Sequence, residues 1–354
     1  YPLDAVVFIT RQKNQKPKTI NQHCISGWVT MKNLLALSFI TMTLLSFNTL
    51  AGPHNGYKTC SWWDVYCQNK HRYNTKYPIV LVHGVTGFNT IGGLVNYFHT
   101  IPWNLERSGA QVYSASVSFV NSSEQRGQQL ANYVNSLGHS KVNLMAHSQG
   151  APTSRVTAAL IPHRIASITS IDGVNKGSKV ADVVRGILPP GSYVEGGANA
   201  IANALGDLIN ALSGADNPQN GLAALETLTT PGTTSLNDAL GWKGVNRNSC
   251  AGTSEDVWID GNRIKFFSWT GRGVWTNAFD ITDPFLGITS LAFGSEPNDG
   301  LVGVCSTMMG RVIGTHYDMN HVDAINHLLG ARSLWTNPVT LYRTQANRLK
   351  NRGL

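Results

Sequence analysis

A single serine lies where a short apolar run passes through a turn of small residues into a predicted helix. The stretch reads VNLMAHSQGAPTSR, residues 142–155, and the serine is Ser148. Ala146 and Gly150 stand two positions before and after it, where larger side chains would collide with the adjoining strand and helix. Glycine is the usual first residue of this pattern, so Ala146 departs from it by one methyl group. The stretch predicts a tight strand-to-helix elbow, although a small-residue turn around a serine is by itself more often structural than catalytic.

Short apolar runs alternate with amphipathic helical stretches along the rest of the chain. YPIVLVHG at 77–84 and RIASITSI at 164–171 predict buried strands. VWIDGNRIKFFSW at 257–269 predicts a hairpin that turns at Asp260 and Gly261. The alternation predicts an α/β fold in which a mostly parallel central sheet is covered by helices on both faces.

Sequence signals mark the starts of two helices. Ser122 with Gln125 three residues later forms a capping box ahead of an apolar stripe. Asn337 followed by Pro338 predicts the start of the last helix. A further amphipathic stretch at 198–214 follows a Pro-Pro-Gly break, and it is either an ordinary surface helix or a mobile lid.

The first 51 residues have the pattern of a leader that is removed on export. Met31 and Lys32 precede the apolar stretch 34–47, which is too short to cross a bilayer, and small residues before Gly52 mark a cleavage site. We expect residues 1–30 to be a non-native upstream segment, 31–51 a signal peptide and 52–76 an N-terminal extension. A single catalytic domain is expected over residues 77–354.

Charge and cysteine content agree with an exported protein. The net charge is +8, and it falls to +4 once the leader's five basic residues and one acid are removed, which is too mild to predict nucleic-acid binding. Four cysteines remain, Cys60, Cys67, Cys250 and Cys305, and an even number predicts disulfides. Proximity favours Cys60 with Cys67 and Cys250 with Cys305, but four cysteines permit three pairings. The spacing of histidines and cysteines gives no support to a zinc site.

A serine hydroxyl becomes a nucleophile only when a base removes its proton and an acid orients that base. The candidate acid downstream is Asp299 in SEPNDGLVG, with Asp172 at the end of the strand after the elbow as its rival. The candidate base is His321 in MNHVDAINHLLG, on a loop predicted to enter a helix. His316 and His327 are the rival bases, and His327 falls inside that predicted helix. The order serine, acid, histidine is the one found in α/β hydrolases.

Acyl transfer also requires hydrogen-bond donors for the oxyanion that develops on the substrate. Two backbone N–H groups are predicted at the right places. Gln149 follows the nucleophile at the start of the predicted helix, and Val85 lies in HGVTGF, on the loop that leaves the first core strand.

Six stretches of the sequence, in the same order, resemble the secreted true lipases of Gram-negative bacteria of the Pseudomonas and Burkholderia type. They read YPIVLVHGVTGF, KVNLMAHSQGAPTSR, FDITDPFLGITSLAF, NDGLVGVCS, NHVDAINHLLG and QANRLKNRGL, and the match covers residues 77–354. The resemblance implies a triacylglycerol lipase on an α/β-hydrolase fold and favours Asp299 over Asp172. The family's triad falls on Ser148, Asp299 and His321, and its oxyanion donors fall on the backbone of Val85 and Gln149.

The same resemblance implies a structural calcium ion that holds the loop bearing the histidine. The matching ligands are the carboxylates of Asp280 and Asp323 and the main-chain carbonyls of His327 and Ala331. Hard oxygen ligands of this kind suit calcium. His327 stands where the family commonly has glutamine, which matters little if only its carbonyl binds.

Other features of the family carry over in the same way. The resemblance implies a disulfide between Cys250 and Cys305 and a lid at about residues 188–230. Cys60 and Cys67 lie in the extension, outside the match. Family members of this type need a dedicated foldase in the periplasm, so we expect one here.

The sequence therefore predicts a secreted triacylglycerol lipase that acts at an oil–water interface on long-chain acylglycerols, through a Ser-His-Asp triad and an acyl-enzyme. One alternative is an esterase or phospholipase with the same triad. Another is a non-catalytic secreted binding protein that kept the hydrolase scaffold, since a fold does not fix a function. The presence of all three triad residue types argues against this last alternative.

Overall fold

The computed structural model describes residues 72–85, 97–118, 120–187, 221–327 and 330–354. The expected upstream segment, signal peptide and N-terminal extension with Cys60 and Cys67 lie outside these residues, except for residues 72–76. Residues 188–220 of the expected lid also lie outside them. Within the described part of the chain, no helix is long and apolar enough to cross a membrane.

A seven-stranded sheet forms the centre of the described structure, in the order β2-β1-β3-β4-β6-β5, with β7 also paired to β6. Only β5 runs antiparallel to its neighbour, so the predicted mostly parallel sheet is confirmed. The strands are β1 Ile79–Val82, β2 Val112–Ser114, β3 Val142–His147, β4 Ile165–Ile171, β5 Asp256–Ile259, β6 Asn262–Gly271 and β7 Arg311–Tyr317.

Helices cover both faces of the sheet. Side chains of β1 alternate between two apolar cores, with Ile79 and Leu81 in one and Val80 and Val82 in the other. The α-helices are α1 Ile101–Glu106, α2 Ser123–Ser136, α3 Gly150–Leu160, α4 Lys179–Val184, α5 Gly221–Leu228, α6 Thr230–Ala239, α7 Asp283–Ser290, α8 Val304–Thr307 and α9 Pro338–Asn351. Helices α1 and α9 contribute to the first core and α2 and α3 to the second. A strand buried on both sides has no polar face, which explains the unbroken apolar runs in the sequence.

Local signals in the sequence fix several element ends. The side chain of Ser122 accepts a hydrogen bond from the backbone N–H of Gln125 at 3.2 Å and so caps α2. The predicted hairpin turns at Asp260 and Gly261, which both adopt positive φ. Helix α9 begins at Pro338 as predicted.

The helix predicted after His321 is wrong for the residues that the structure describes there. Only one 3₁₀ turn forms, Asp323–Ile325, and Asn326 then takes a left-handed backbone with φ 60°. The side chain of Asn320 accepts hydrogen bonds from the N–H groups of Val322 and Asp323 at 2.8 and 2.7 Å. An asparagine bonded in this way favours a turn over a continuing helix.

Candidate active site

Ser148 sits on a strained turn between β3 and α3. Its φ is 56°, in the left-handed region that costs a non-glycine residue on the order of 1 kcal/mol or more. A Cβ atom at Gly150 would lie 2.4 Å from the carbonyl oxygen of Val82, so only glycine fits two residues after the serine. The predicted elbow is therefore present, and its close packing explains why the sequence has small residues there.

His321 and Asp299 form a buried hydrogen-bonded pair. The distance from His321 Nδ1 to Asp299 Oδ2 is 2.8 Å, and Oδ1 of the same carboxylate accepts the N–H groups of Leu301 and Val302 at 2.9 and 2.7 Å. Burial lowers the pKa of His321, but the charge and hydrogen bond of Asp299, with a further contribution from Asp172, outweigh it, so the net pKa is raised. The pair is thus built to hold a positively charged imidazole.

One apolar cavity joins the serine to the histidine. Ser148, Ser178 and His321 are the polar side chains in its wall, which otherwise consists of Val85, Val120, Val174, Val180, Ala181, Gly221, Ala224, Leu225, Leu228, Leu301 and Val302. Helix α5, the described helix of the expected lid, forms part of this wall. A cavity of this composition accepts a hydrocarbon chain next to the two reactive side chains.

A hydrogen-bonded chain that the sequence did not predict links the first core strand to the histidine loop. Tyr97 Oη lies 2.6 Å from His147 Nδ1 and accepts the N–H of Gly84, while His147 Nε2 lies 3.0 Å from the carbonyl oxygen of His321. A carbonyl only accepts, so His147 donates from Nε2 and accepts the Tyr97 hydroxyl proton at Nδ1. Burial, together with the charge of His321, lowers the pKa of His147 well below its ordinary value, in agreement with a neutral ring.

Arg126 holds the two backbone segments that carry the candidate oxyanion donors. This buried guanidinium donates to the carbonyl oxygens of His83 and Gly84 and to the side-chain oxygen of Gln149. The Gly84 carbonyl belongs to the same planar peptide as the N–H of Val85, so the bond to Arg126 fixes the direction of that N–H. Burial lowers the pKa of Arg126 to about 9, which leaves it charged at neutral pH.

The rival acid, Asp172, also lies close to the histidine, but it differs from Asp299 in its bonding. It is fully buried at the end of β4, one oxygen accepts the N–H of Gly271 at 2.8 Å, and Oδ2 accepts no hydrogen bond from the described part of the chain. Polar atoms of His147, Asp172 and His321 lie within 4.8 Å of one another. Burial, followed by repulsion from Asp299, raises the pKa of Asp172 to about 8. Asp299 accepts the hydrogen bond of His321 and two backbone N–H groups, so Asp299 is the better partner for an imidazolium.

The two rival bases lie elsewhere. His316 is an exposed residue on β7, and its ring stacks on Tyr317 with 5.3 Å between centroids. His327 is buried, and its ring contacts that of His99 with 6.4 Å between centroids. Neither of them lines the cavity that contains Ser148 and His321.

Replacing Asp172 by asparagine should stabilise the protein, and by more at high pH. The folded state keeps the Asp172 proton up to about pH 8, whereas an unfolded chain loses it near pH 3.8, so this carboxyl destabilises the fold progressively between these values. Asparagine keeps the size of the side chain and tolerates the φ of 45° at this position. We expect a gain in unfolding free energy of about 1–3 kcal/mol near pH 8 and almost none near pH 4, measured by urea denaturation. An equal change at both pH values would contradict the burial of an uncharged carboxyl.

A second acidic cluster lies beside the histidine loop. Asp280 and Asp323 are buried, and in each of them one carboxylate oxygen accepts local hydrogen bonds. The second oxygen, Asp280 Oδ2 or Asp323 Oδ1, accepts none from the described part of the chain. Burial raises the pKa of Asp323 to about 7, with added repulsion from Asp280 and Asp283 and an opposing effect of hydrogen bonds. An unpaired, buried carboxylate oxygen is the kind of ligand that a hard cation such as calcium prefers.

Asp283 ties this cluster to the histidine loop. Its carboxylate accepts the N–H groups of Thr276 and Asn277 at 2.8 and 3.0 Å and the side-chain amide of Asn320 at 2.8 Å. Asn320 directly precedes His321. His327 and Ala331, whose carbonyls were the other expected calcium ligands, are on this same loop, but residues 328–329 between them lie outside the described residues.

The expected disulfide between Cys250 and Cys305 is present, with 4.7 Å between the Cα atoms. It links the loop before β5 to helix α8. Helix α8 directly follows the 299–303 segment that carries the acid, so the bond ties the end of this segment to the loop before β5. The pairing of Cys60 with Cys67 lies outside the described residues.

Comparison with known proteins extends the likeness over most of the chain. Residues 77–277 match the model of the alpha/beta hydrolase fold family. A triacylglycerol lipase from Vibrio cholerae is 50% identical over 286 residues, which is 79% of this chain and 89% of the relative. One from Pseudomonas fragi is 38% identical over 294 residues, 79% of this chain and 98% of the relative. The crystal structure of the mature Bacillus licheniformis lipase BlEst2 has the same fold, with a TM-score of 0.53 at 17% identity over 78% of this chain and 93% of that one.

Proposed function

This chain belongs to the triacylglycerol lipases of the α/β-hydrolase fold, and from this we propose that it hydrolyses long-chain acylglycerols with Ser148, His321 and Asp299 as its catalytic residues. One observation carries the assignment of these residues. The hydrogen-bonded pair of His321 and Asp299 opens into the same apolar cavity as the hydroxyl on the strained elbow. A carboxylic ester hydrolase needs a nucleophile next to a base, and it needs an acid that is hydrogen-bonded to that base.

In the proposed reaction, Nε2 of His321 accepts the Ser148 proton as Oγ attacks the ester carbonyl carbon. Asp299 stabilises the resulting imidazolium, and the N–H groups of Val85 and Gln149 donate to the oxyanion. His321 then protonates the departing glycerol oxygen, which leaves an acyl-enzyme. A water molecule that gives its proton to His321 attacks the acyl-enzyme, and His321 passes this proton to Ser148 Oγ as the bond to the fatty acid breaks, which regenerates the free enzyme. Removing one oxyanion donor from such a site costs about 3 kcal/mol of transition-state stabilisation.

The cavity supports an acyl substrate over a polar one. Its walls are valine, leucine and alanine side chains, and α5 closes part of it. Burial of a hydrocarbon chain contributes about 0.8 kcal/mol for each CH₂ group removed from water. A long acyl chain therefore gains more binding free energy than a short one wherever the cavity extends along the chain.

Calcium is proposed as a structural ion held by Asp280 and Asp323, with the carbonyls of His327 and Ala331. The two unpaired buried carboxylate oxygens support this site. When bound, the ion would offset the repulsion between the two acids and hold the loop that carries His321.

Export is proposed from the signal-peptide pattern at 31–51, and the disulfide between Cys250 and Cys305 supports an oxidising compartment. A periplasmic foldase is proposed as a partner from the resemblance to the Pseudomonas and Burkholderia lipases. The second disulfide, between Cys60 and Cys67, stays a prediction.

An esterase or phospholipase with the same triad is the competing function, and substrate profiling separates the two. We expect fatty acid release from a triolein emulsion at a rate within about tenfold of that from tributyrin, since binding of the longer chain adds apolar burial. Hydrolysis confined to tributyrin would identify an esterase. Preferential cleavage of phosphatidylcholine would identify a phospholipase.

A further inference from the structure

Large apolar side chains stand exposed on three neighbouring segments near the histidine loop. The segments are the loop 272–282, helix α7 with the 3₁₀ turn that follows it, and the loop 330–337. The exposed residues and their exposed fractions are Trp275 69%, Phe279 88%, Ile281 78%, Ile288 38%, Leu291 53%, Leu334 75% and Trp335 84%. These seven residues are called the tryptophan surface below.

The three segments are bonded to each other and form a single support. The ring of Trp275 lies against Gly287 of α7, where an added Cβ would be 2.5 Å from the ring. The side-chain amide of Asn277 donates to the carbonyl oxygen of Arg332 at 2.9 Å, which joins the first loop to the third. Ser333 Oγ accepts the N–H of Trp335 at 3.1 Å and so fixes the base of the second tryptophan.

This support also contacts the loops that carry the candidate acid and base. The side chain of Leu286 on α7 packs so closely on Gly300, next to Asp299, that an added Cβ there would be 2.7 Å away. The bond from Asn320 to Asp283 joins α7 to the residue before His321. The tryptophan surface therefore belongs to the surroundings of the active site.

The composition of the tryptophan surface identifies the kind of partner it fits. Large contiguous apolar patches are rare on soluble monomers and mark binding surfaces, and the seven exposed side chains stand on segments that are bonded to one another. Tryptophan and phenylalanine are the side chains favoured at the boundary between lipid and water. The acids within the two outer segments and α7, Asp280 and Asp283, are buried, whereas Arg272 is exposed, so no exposed carboxylate in these segments opposes a lipid surface.

We propose that the enzyme adsorbs to lipid–water interfaces through the tryptophan surface, which brings the cavity of Ser148 and His321 next to water-insoluble ester. This inference rests on the proposed function, because an insoluble substrate is what makes adsorption useful. None of its seven residues belongs to the expected lid at 188–230.

The test compares the variant Phe279→Ser/Ile281→Ser/Trp335→Ser with the wild type and a matched control, Trp258→Ser/Leu160→Ser. The control removes exposed apolar side chains, 58% and 48% exposed, from β5 and the end of α3. Adsorption is measured in the cold by centrifugal flotation with triolein droplets, and hydrolysis of dissolved p-nitrophenyl acetate is measured in parallel. We expect adsorption of the triple variant to be at least about tenfold weaker, with unchanged hydrolysis of the soluble ester and unchanged adsorption of the control.

Wild-type adsorption by the triple variant, or equal loss in the control, would overturn the proposal. Loss of a dimer in gel filtration with adsorption intact would also overturn it and would assign the surface to a second copy of the chain. Because adsorption and hydrolysis are measured separately, a wild type that adsorbs but hydrolyses no ester would contradict the proposed function while leaving the docking surface supported.

Discussion

Replacing Ser148 by alanine should lower ester hydrolysis by about 10⁴-fold or more, because the variant lacks the oxygen that forms the acyl-enzyme. What remains is the hydrolysis that binding and oxyanion donors provide by themselves. Initial rates of p-nitrophenyl butyrate and tributyrin hydrolysis by purified protein measure the effect. The fold should persist, since the change removes only the hydroxyl group of a buried side chain and leaves the backbone of the elbow unchanged.

Ser178→Ala provides the matched control for this loss. Ser178 lines the same cavity, and its hydroxyl donates to the carbonyl oxygen of Leu301 at 2.6 Å. Its replacement removes a hydroxyl from the cavity but not the proposed nucleophile, so activity should stay within about tenfold of wild type. A Ser148→Ala variant that keeps as much activity as the control would mean that another residue attacks the ester.

Removal of calcium should lower the melting temperature by about 5–10 °C. A ligand present at a hundredfold excess over its Kd stabilises a fold by about 2.7 kcal/mol. In a domain of this size that free energy corresponds to several degrees. Without the ion, Asp280 Oδ2 and Asp323 Oδ1 stay buried and accept no hydrogen bond from the described part of the chain. Thermal unfolding in EGTA, and again after calcium is restored, measures the shift.

Magnesium and an acid elsewhere in the chain serve as controls for the calcium site. Magnesium demands a tighter octahedral shell, so it should restore less of the lost stability than calcium does. Asp323→Asn should abolish the response to EGTA, whereas Asp260→Asn, at the exposed hairpin turn, should keep it. Equal melting temperatures of the wild type with and without EGTA would exclude a bound stabilising cation.

The sheet and the elbow were predictable because buried strands and tight turns have recognisable local sequence patterns, namely apolar runs and small residues. Ser148 could be identified since Gly150 must approach the carbonyl of Val82, a contact that excludes a side chain. The choice between Asp299 and Asp172 could not be made from residues alone, because both follow or precede sheet elements. It depends on which carboxylate receives several N–H groups and which keeps an oxygen unpaired.

Arg126 was missed, although the sequence contains a signal for it. It lies four and eight residues before Leu130 and Val134, on the face of α2 that packs into the core. A charged side chain in such a stripe must find buried partners, and here the partners are carbonyls of the loop after β1. The hydrogen bond between His147 and Tyr97 could not be predicted in this way, because it joins residues 50 positions apart and no local sequence pattern indicates it.

The prediction of a helix after His321 was wrong because the apolar residues there are buried without forming a continuous helix. Ala324 and Ile325 pack into the core from a single 3₁₀ turn, and Asn320 and Asn326 set the bounds of that turn. Local hydrogen bonds of asparagine side chains thus stabilise a turn here in place of the helix that the apolar pattern predicts.

Reaction with a p-nitrophenyl alkylphosphonate tests the activation of Ser148 by His321 most directly. Oγ displaces p-nitrophenolate from phosphorus and forms a stable adduct, which peptide mass spectrometry locates. The wild type should be labelled once, at Ser148, and the His321→Ala variant should react at least about a thousandfold more slowly. A label at another residue, or equally fast labelling of Ser148 in the absence of the His321 imidazole, would contradict this assignment.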